Sequence, residues 1–376
     1  MNSPVFLDFQ ATTPLDPFVL EQMLPWLSAP ANPHSVQHEA GLSASRAIEK
    51  ARSQIAQSTG QTPDGILFTP SATFACNQII RSFAGPGAKI AISAVEHPCV
   101  FETARACEAE GATLEIMPVD EEGIIDLDRA YEMIEGADIV SVMAVNNETG
   151  TIQPIAEIAE FCRAQSIIFH TDAAQALGRI TLDEIGEEAI ITLSSHKAYG
   201  PQGIGAISGP RDTLKKLKPL ITGGGQQDGL HPGTLPTALC VGFGCAAELA
   251  NARRDQDWVH AAELSQRFVE RLREDGVSFV LNGSASKRIP HNLNLSFDDV
   301  DADTLLTLLP QLALATGSAC SSGAIGKSKV LAAMGLSESR LDEAVRVGFG
   351  RTTIQEHVDE AADLIAQAAK RLLESA

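Results

Sequence analysis

Ser194-Ser195-His196-Lys197, preceded by His170-Thr171-Asp172-Ala173-Ala174-Gln175, brings together the residue types that can hold a pyridoxal phosphate ring. A lysine amine can carry that cofactor covalently. An aspartate can keep its pyridine nitrogen protonated, so that the ring drains charge from a substrate's α-carbon. The Ser194 hydroxyl and the His196 ring can donate to phosphate oxygens. Phe68-Thr69-Pro70-Ser71-Ala72-Thr73 reads as strand, turn and helix start, whose free backbone N–H groups and Thr73 hydroxyl form an anion site.

Such residues need a scaffold that aims them at one point. Ile167 to His170 and Ile190 to Leu193 read as buried parallel strands, so Asp172 and Lys197 emerge at strand carboxyl ends, where open α/β sheets bind ligands. A lone lysine on a loop is usually solvated, and a lone aspartate after a strand as often caps a helix. Here five strand-end clusters coincide: Thr73, His97, Asn147, Asp172 with Gln175, and Lys197 all fall on the same sheet edge.

Seven strands are expected: Ile66 to Thr69, Lys89 to Ala94, Thr113 to Met117, Ile139 to Ala144, Ile167 to Thr171, Ile190 to Leu193 and Ile204 to Ser208. Helical periodicity falls between them, roughly over Ser71 to Phe83, Cys99 to Ala109, Asp128 to Ile134 and Pro154 to Ala164. This alternation predicts an α/β fold with a mostly parallel seven-stranded sheet covered by helices. Beyond Gly223-Gly224-Gly225 comes a long helical stretch, Thr237 to Glu274, of the kind that bridges domains. A strand (Asn292 to Phe297), a helix (Asp301 to Leu308), a helix near Val330, a strand around Arg346 to Phe349 and a terminal helix from Gln355 follow. The expected division is a large domain over residues 15–250 and a smaller α+β domain over residues 1–14 and 251–376.

A chain of 376 residues is long enough for two domains, and 44% hydrophobic with 20% charged residues is ordinary for a soluble protein. A net charge of −20 argues against a direct grip on nucleic acid or on anionic membranes, both of which need clustered Lys and Arg. No apolar run approaches ~20 residues and the first residues lack a basic-then-apolar leader, so a cytoplasmic protein is expected. Seven cysteines are scattered without a C-x-x-C pair, which suits neither a disulfide scaffold nor a structural zinc site. Six of them, Cys99 included, read as small buried hydrophobes. Cys320 differs, because Thr316-Gly317-Ser318-Ala319-Cys320-Ser321-Ser322-Gly323 reads as a mobile exposed loop.

The successive runs Leu7-Asp8-Phe9-Gln10-Ala11-Thr12-Thr13-Pro14, Asn32-Pro33-His34-Ser35, Glu96-His97, Val145-Asn146-Asn147-Glu148-Thr149-Gly150, Asp172-Ala173-Ala174-Gln175, Ser194-Ser195-His196-Lys197, Gly233-Thr234-Leu235-Pro236 and Gly317-Ser318-Ala319-Cys320 resemble the motifs of the NifS/IscS-type cysteine desulfurases, in order and nearly end to end. That family has the fold of type I pyridoxal phosphate enzymes, within the class V aminotransferases. The resemblance implies that Lys197 holds the cofactor, His97 stacks on its ring and carries protons, and Asp172 pairs with the ring nitrogen. By the same resemblance Asn147 and Gln175 contact the ring hydroxyl, while Ala72, Thr73, Ser194, Ser195 and His196 surround the phosphate. Thr234 would reach the phosphate of the other subunit's cofactor in a homodimer. Arg346 would clamp the substrate carboxylate beside Asn32, the planar guanidinium fork matching the carboxylate.

The implied reaction converts L-cysteine to L-alanine. Cys320 attacks the substrate sulfur as a thiolate and keeps it as a persulfide for a sulfur-acceptor or scaffold protein, serving iron–sulfur clusters or thiolated RNA. A lyase acting on selenocysteine or cystine, or a cofactor-binding scaffold of weakened activity, stays open at this point. Ser71 and Phe74 stand where the family has the glycine and glutamate of its G-A-T-E-S run, and His231 where it has an arginine.

Overall fold

A computed structural model describes residues 4–316 and 327–375. The chain opens with strand β1 (Val5–Phe6) and helices α1 (Pro17–Ser28) and α2 (Glu39–Thr59). Alternation then begins with β2 (Ile66–Thr69), α3 (Ala72–Phe83), β3 (Lys89–Ser93), α4 (Pro98–Ala109), β4 (Thr113–Met117), α5 (Leu127–Ile134) and β5 (Ile139–Ser141). It continues through α6 (Ile155–Ala164), β6 (Ile168–Asp172), β7 (Ile190–Ser194), β8 (Gly205–Ser208) and α7 (Arg211–Leu214). The long α8 (Thr237–Glu274) leads to β9 (Phe279–Leu281), β10 (Asn292–Phe297), α9 (Ala302–Thr307), β11 (Leu312–Ala313) and β12 (Ala315–Thr316). Last come α10 (Lys329–Ala333), α11 (Glu338–Asp342), β13 (Ala344–Gly348) and α12 (Gln355–Ser375).

Seven strands form one sheet in the order β2-β8-β7-β6-β5-β3-β4, and only β8 runs against its neighbours. The carboxyl ends of the other six therefore share one edge with the start of β8. Alternate side chains feed two separate cores: Phe68, Ala91, Val140, Ile191 and Ala206 on one face, Leu67, Ile90, Ile139, Ile190 and Ile207 on the other. Each fully buried aliphatic side chain contributes ~1.5–3 kcal/mol, and a one-residue slip would exchange the two faces. Register is thus pinned, and with it the position of each polar strand end.

One expected boundary moves for a physical reason. β5 stops at Ser141 rather than at Ala144, although Val142 and Ala144 still donate to His170 and Asp172 of β6. On its other side β3 has already ended, and the Met143 N–H goes to the Glu96 carboxylate at 2.6 Å in place of a strand carbonyl.

Helix α8, at 38 residues, runs about 57 Å at 1.5 Å per residue. Its first half packs Phe243 and Ala247 into the large sheet's core, and its second half packs Leu264, Phe268 and Leu272 with β10, β13 and α12. α2 lies against it so closely that a Cβ on Gly244 would come 2.5 Å from the Ala51 Cα. The second core covers an antiparallel sheet, β12-β13-β10-β9, and β1 returns to pair in parallel with β11. Among the described residues no helix is long and apolar enough to cross a membrane.

Candidate active site

A cavity of about 500 Å³ opens at the shared strand edge, within the size range of small-molecule sites. The turn after β2 brings Ala72 and Thr73 to its wall, the turn after β3 brings His97, and the loop after β5 brings Asn147. β6 ends there in Asp172, followed by Gln175, and β7 delivers Ser194, His196 and Lys197. All five expected clusters thus share one cavity.

Its anion-binding end is built by helix α3. Ser71 caps the helix by accepting from the Phe74 N–H at 3.1 Å, while the N–H groups of Ala72 and Thr73 lie in the first turn, where no intrahelical acceptor exists. Gly205 permits this placement, because a Cβ there would stand 2.7 Å from the Leu193 carbonyl oxygen and 3.0 Å from the Ala72 nitrogen. Burial, and secondarily the Lys197 charge, lower the His196 pKa to about 4. The ring is therefore neutral at ordinary pH, and its Nδ1 shares a 3.0 Å hydrogen bond with Thr12 Oγ1.

The opposite wall is the amino-terminal segment. Lys197 Nζ donates to the Ala11 carbonyl at 2.8 Å and to the Gln10 carbonyl, and Gln175 Nε2 donates to that same Gln10 oxygen at 2.9 Å. Asp172 is buried, with Oδ1 accepting from the Ala174 N–H at 2.9 Å. Residue-by-residue reading of the sequence missed the wall formed by Gln10, Ala11 and Thr12. The only signal for it was the Asp8 to Pro14 motif.

Cys99 corrects the expectation of an inert buried thiol. It is half-buried on the cavity wall, with Sγ 3.0 Å from His97 Nδ1 and 3.9 Å from Asp172 Oδ2. The reason is helix phase: His97 caps α4 by accepting the Cys99 N–H, which turns residue 99 toward the sheet edge. A hydrogen bond from Cys76 lowers the Cys99 thiol to about 7 against the effect of burial, with His97 assisting.

Other expected residues stand outside this lining. Ser195 is fully buried, its Oγ pressed toward Gly200 and without a hydrogen-bond partner among the described residues. Asn32 and Thr234 are exposed. Arg346, 1% exposed, donates to the Asn147 carbonyl at 3.1 Å and pairs with Asp8 at 2.8 Å. Cys320 lies outside the described residues. Two positions that depart from the family's motifs meet each other: the Phe74 and His231 rings pack edge to face with centroids 4.7 Å apart.

The donor set fits a phosphorylated pyridine aldehyde. A helix N-terminus with hydroxyls and a neutral imidazole suits the phosphate, a buried carboxylate suits the ring nitrogen, and a lysine amine suits the aldehyde. Residues 5–361 match the family Aminotransferase class-V. The chain belongs to this family and has the type I fold of pyridoxal phosphate enzymes. It is 40% identical over 381 residues to cysteine desulfurase IscS of Rickettsia felis, covering 99% of this chain and 93% of that one. Against cysteine desulfurase of Mus musculus it is 40% identical over 378 residues, covering 99% and 82%. A solved NifS-like protein superposes with a TM-score of 0.89 at 29% identity, over 98% of this chain and 100% of that chain. The likeness to NifS/IscS-type cysteine desulfurases read from the motifs extends over the whole fold.

Proposed function

We propose that this protein is a pyridoxal phosphate-dependent cysteine desulfurase, converting L-cysteine to L-alanine and passing the sulfur through a persulfide on Cys320. The observation that carries this reading is the convergence of Lys197, Asp172 and the α3 anion cup on one cavity, in a chain similar to cysteine desulfurases over its length. The relatives favour this over a selenocysteine lyase or an inactive scaffold, since they are named for cysteine.

When bound, the cofactor supplies an electrophilic carbon and a protonated ring that accepts charge from the substrate's α-carbon. Lys197 would tether it, Asp172 would hold its ring nitrogen, His97 would lie against its ring face, and Asn147 and Gln175 would meet its hydroxyl. Ala72, Thr73, Ser194 and His196 would hold its phosphate, while Ser195, buried behind them, would support that turn rather than touch the group. Lys197 Nζ then moves the substrate's α-proton, and Arg346 with Asn32 orients the carboxylate. His97 relays a proton between solvent and the reacting atoms. At Cys320 the thiolate attacks the substrate sulfur, so that an S–S bond forms as the C–S bond breaks, and the carbon skeleton takes up a proton to leave as alanine.

The exposure of Thr234 is what a reach into a second subunit's phosphate site requires, and this supports a homodimer. The two cores joined by α8 support a division into residues 15–250 and residues 1–14 with 251–376, the cysteine segment belonging to the latter. The sulfur would pass in the cytoplasm to an acceptor protein for iron–sulfur clusters or tRNA thiolation. Mass spectrometry after incubation with L-cysteine tests the reading: one extra sulfur atom is expected on the Cys320 peptide, and alanine released without it, or released equally by Cys320→Ala, would refute the persulfide route.

A further inference from the structure

We propose that Cys76, Cys99 and Asp172 form a binding site for a thiophilic divalent cation of the Zn²⁺ class at the floor of the cofactor cavity. Cation binding needs these three side chains alone. Its consequence, mutual exclusion with the cofactor, rests on the proposed pairing of Asp172 with the ring nitrogen.

Three elements converge here: Cys76 from α3, Cys99 from the first turn of α4, and Asp172 from the end of β6. Their ligand atoms all lie within 4.8 Å of one another, and Cys99 Sγ is 3.9 Å from Asp172 Oδ2. Tetrahedral zinc, with bonds of ~2.3 Å to sulfur and ~2.0 Å to oxygen, sets its donors roughly 3.3–3.8 Å apart. The site therefore needs a contraction of at most about 1.3 Å. Both cysteines are free thiols rather than a disulfide, so both sulfurs remain available to an ion.

Ligand chemistry agrees with the spacing. Two thiolates and one carboxylate select a borderline-soft ion over Mg²⁺ or Ca²⁺. Cys99 and Asp172 face the cavity and Cys76 lies buried behind them, so a fourth position would open toward the cavity, as in three-ligand zinc sites. His97 Nδ1 is already an acceptor for the Cys99 N–H and is not needed as a ligand. Both thiols would release their protons on binding, so affinity would rise with pH. The Asp172 carboxylate would then face the ion, and cofactor and cation would compete for it.

The test uses the full chain freed of cofactor, carrying Cys320→Ala to remove the other reactive thiol, and titrated with Cd²⁺. A thiolate-to-metal charge-transfer band in the ultraviolet should saturate at one ion per chain. Cys99→Ala and, as a size-conserving second variant, Cys76→Ser should each weaken binding about tenfold or more. Adding pyridoxal phosphate should collapse the band as it displaces the ion. An undiminished band in Cys99→Ala, or no stoichiometric band in the parent, would overturn the site. A band that survives saturation with cofactor would overturn the competition.

Discussion

Glu148 Oε2 accepts a 2.5 Å hydrogen bond from Ser328 Oγ, and the same hydroxyl accepts from the Leu331 N–H at 3.0 Å to cap helix α10. The chain that follows the cysteine segment is thereby fastened to the loop that presents Asn147. Asn292 and Asn294 hold the Glu148 carbonyl from β10, at 3.2 and 3.3 Å.

This contact predicts a pH-dependent stability. Burial raises the Glu148 pKa from 4.5 to about 7, against the opposing effects of Ser328 and the Arg346 charge. Between those values the folded chain keeps a proton that the unfolded chain has lost. The contribution is fully present below 4.5 and is lost as pH rises through 7, roughly 3 kcal/mol in all. Glu148→Gln, which can still accept from Ser328, should flatten that slope. In urea unfolding the variant should gain on the parent at pH 8 relative to pH 5, and an unchanged difference between the two pH values would count against a protonated Glu148.

Much of the site was legible because its determinants are local. The run Ile190 to Ser194 is apolar enough to be a central strand wherever it sits, so Lys197 just beyond it had to fall on the carboxyl edge. α8 was bounded correctly at both ends because its pattern is unbroken from Thr237 to Glu274. Contacts between distant parts of the chain were not legible. Nothing near Lys197 says that its amine meets the Ala11 carbonyl, and nothing near Cys99 says that Asp172 lies beside it. Such pairings depend on strand order, which adjacent residues do not encode.

Arg346 offers a second prediction. Its guanidinium is buried and divides its donors between Asp8 and the Asn147 carbonyl, while Nε has no partner in the described residues. Truncation to alanine would leave Asp8 without its partner, so lysine is the informative change. Arg346→Lys keeps the charge but loses the planar fork, and should raise KM for cysteine about tenfold or more with a smaller effect on kcat. Steady-state kinetics checks this; an unchanged KM would remove Arg346 from the carboxylate site.

The Phe74–His231 contact predicts a coupling that salt does not screen. The rings meet at 74°, and burial lowers the His231 pKa, which favours the uncharged imidazole at neutral pH. A double-mutant cycle of Phe74→Leu and His231→Ala should return about 0.5–1.5 kcal/mol of interaction energy in unfolding experiments. An ion pair at these positions would weaken as ionic strength rises. Here the coupling should be the same at low and high salt, and a strong salt dependence would show that His231 is charged.

Lys197 can be tested apart from its structural contacts. Its amine holds the Ala11 and Gln10 carbonyls, so Lys197→Ala removes two hydrogen bonds as well as the tether for the cofactor. Both carbonyls border the cavity, where water can replace the donor, and the cost in stability should stay near ~1–2 kcal/mol. Lys197→Arg retains a cationic donor on this wall but cannot form the covalent link. If the amine is the attachment point, both variants should lose the visible absorption of the lysine-linked cofactor and about a thousandfold or more in turnover, the arginine variant with near-parental stability. Should the arginine variant keep the parental spectrum, the tether lies elsewhere and the assignment of Lys197 is wrong.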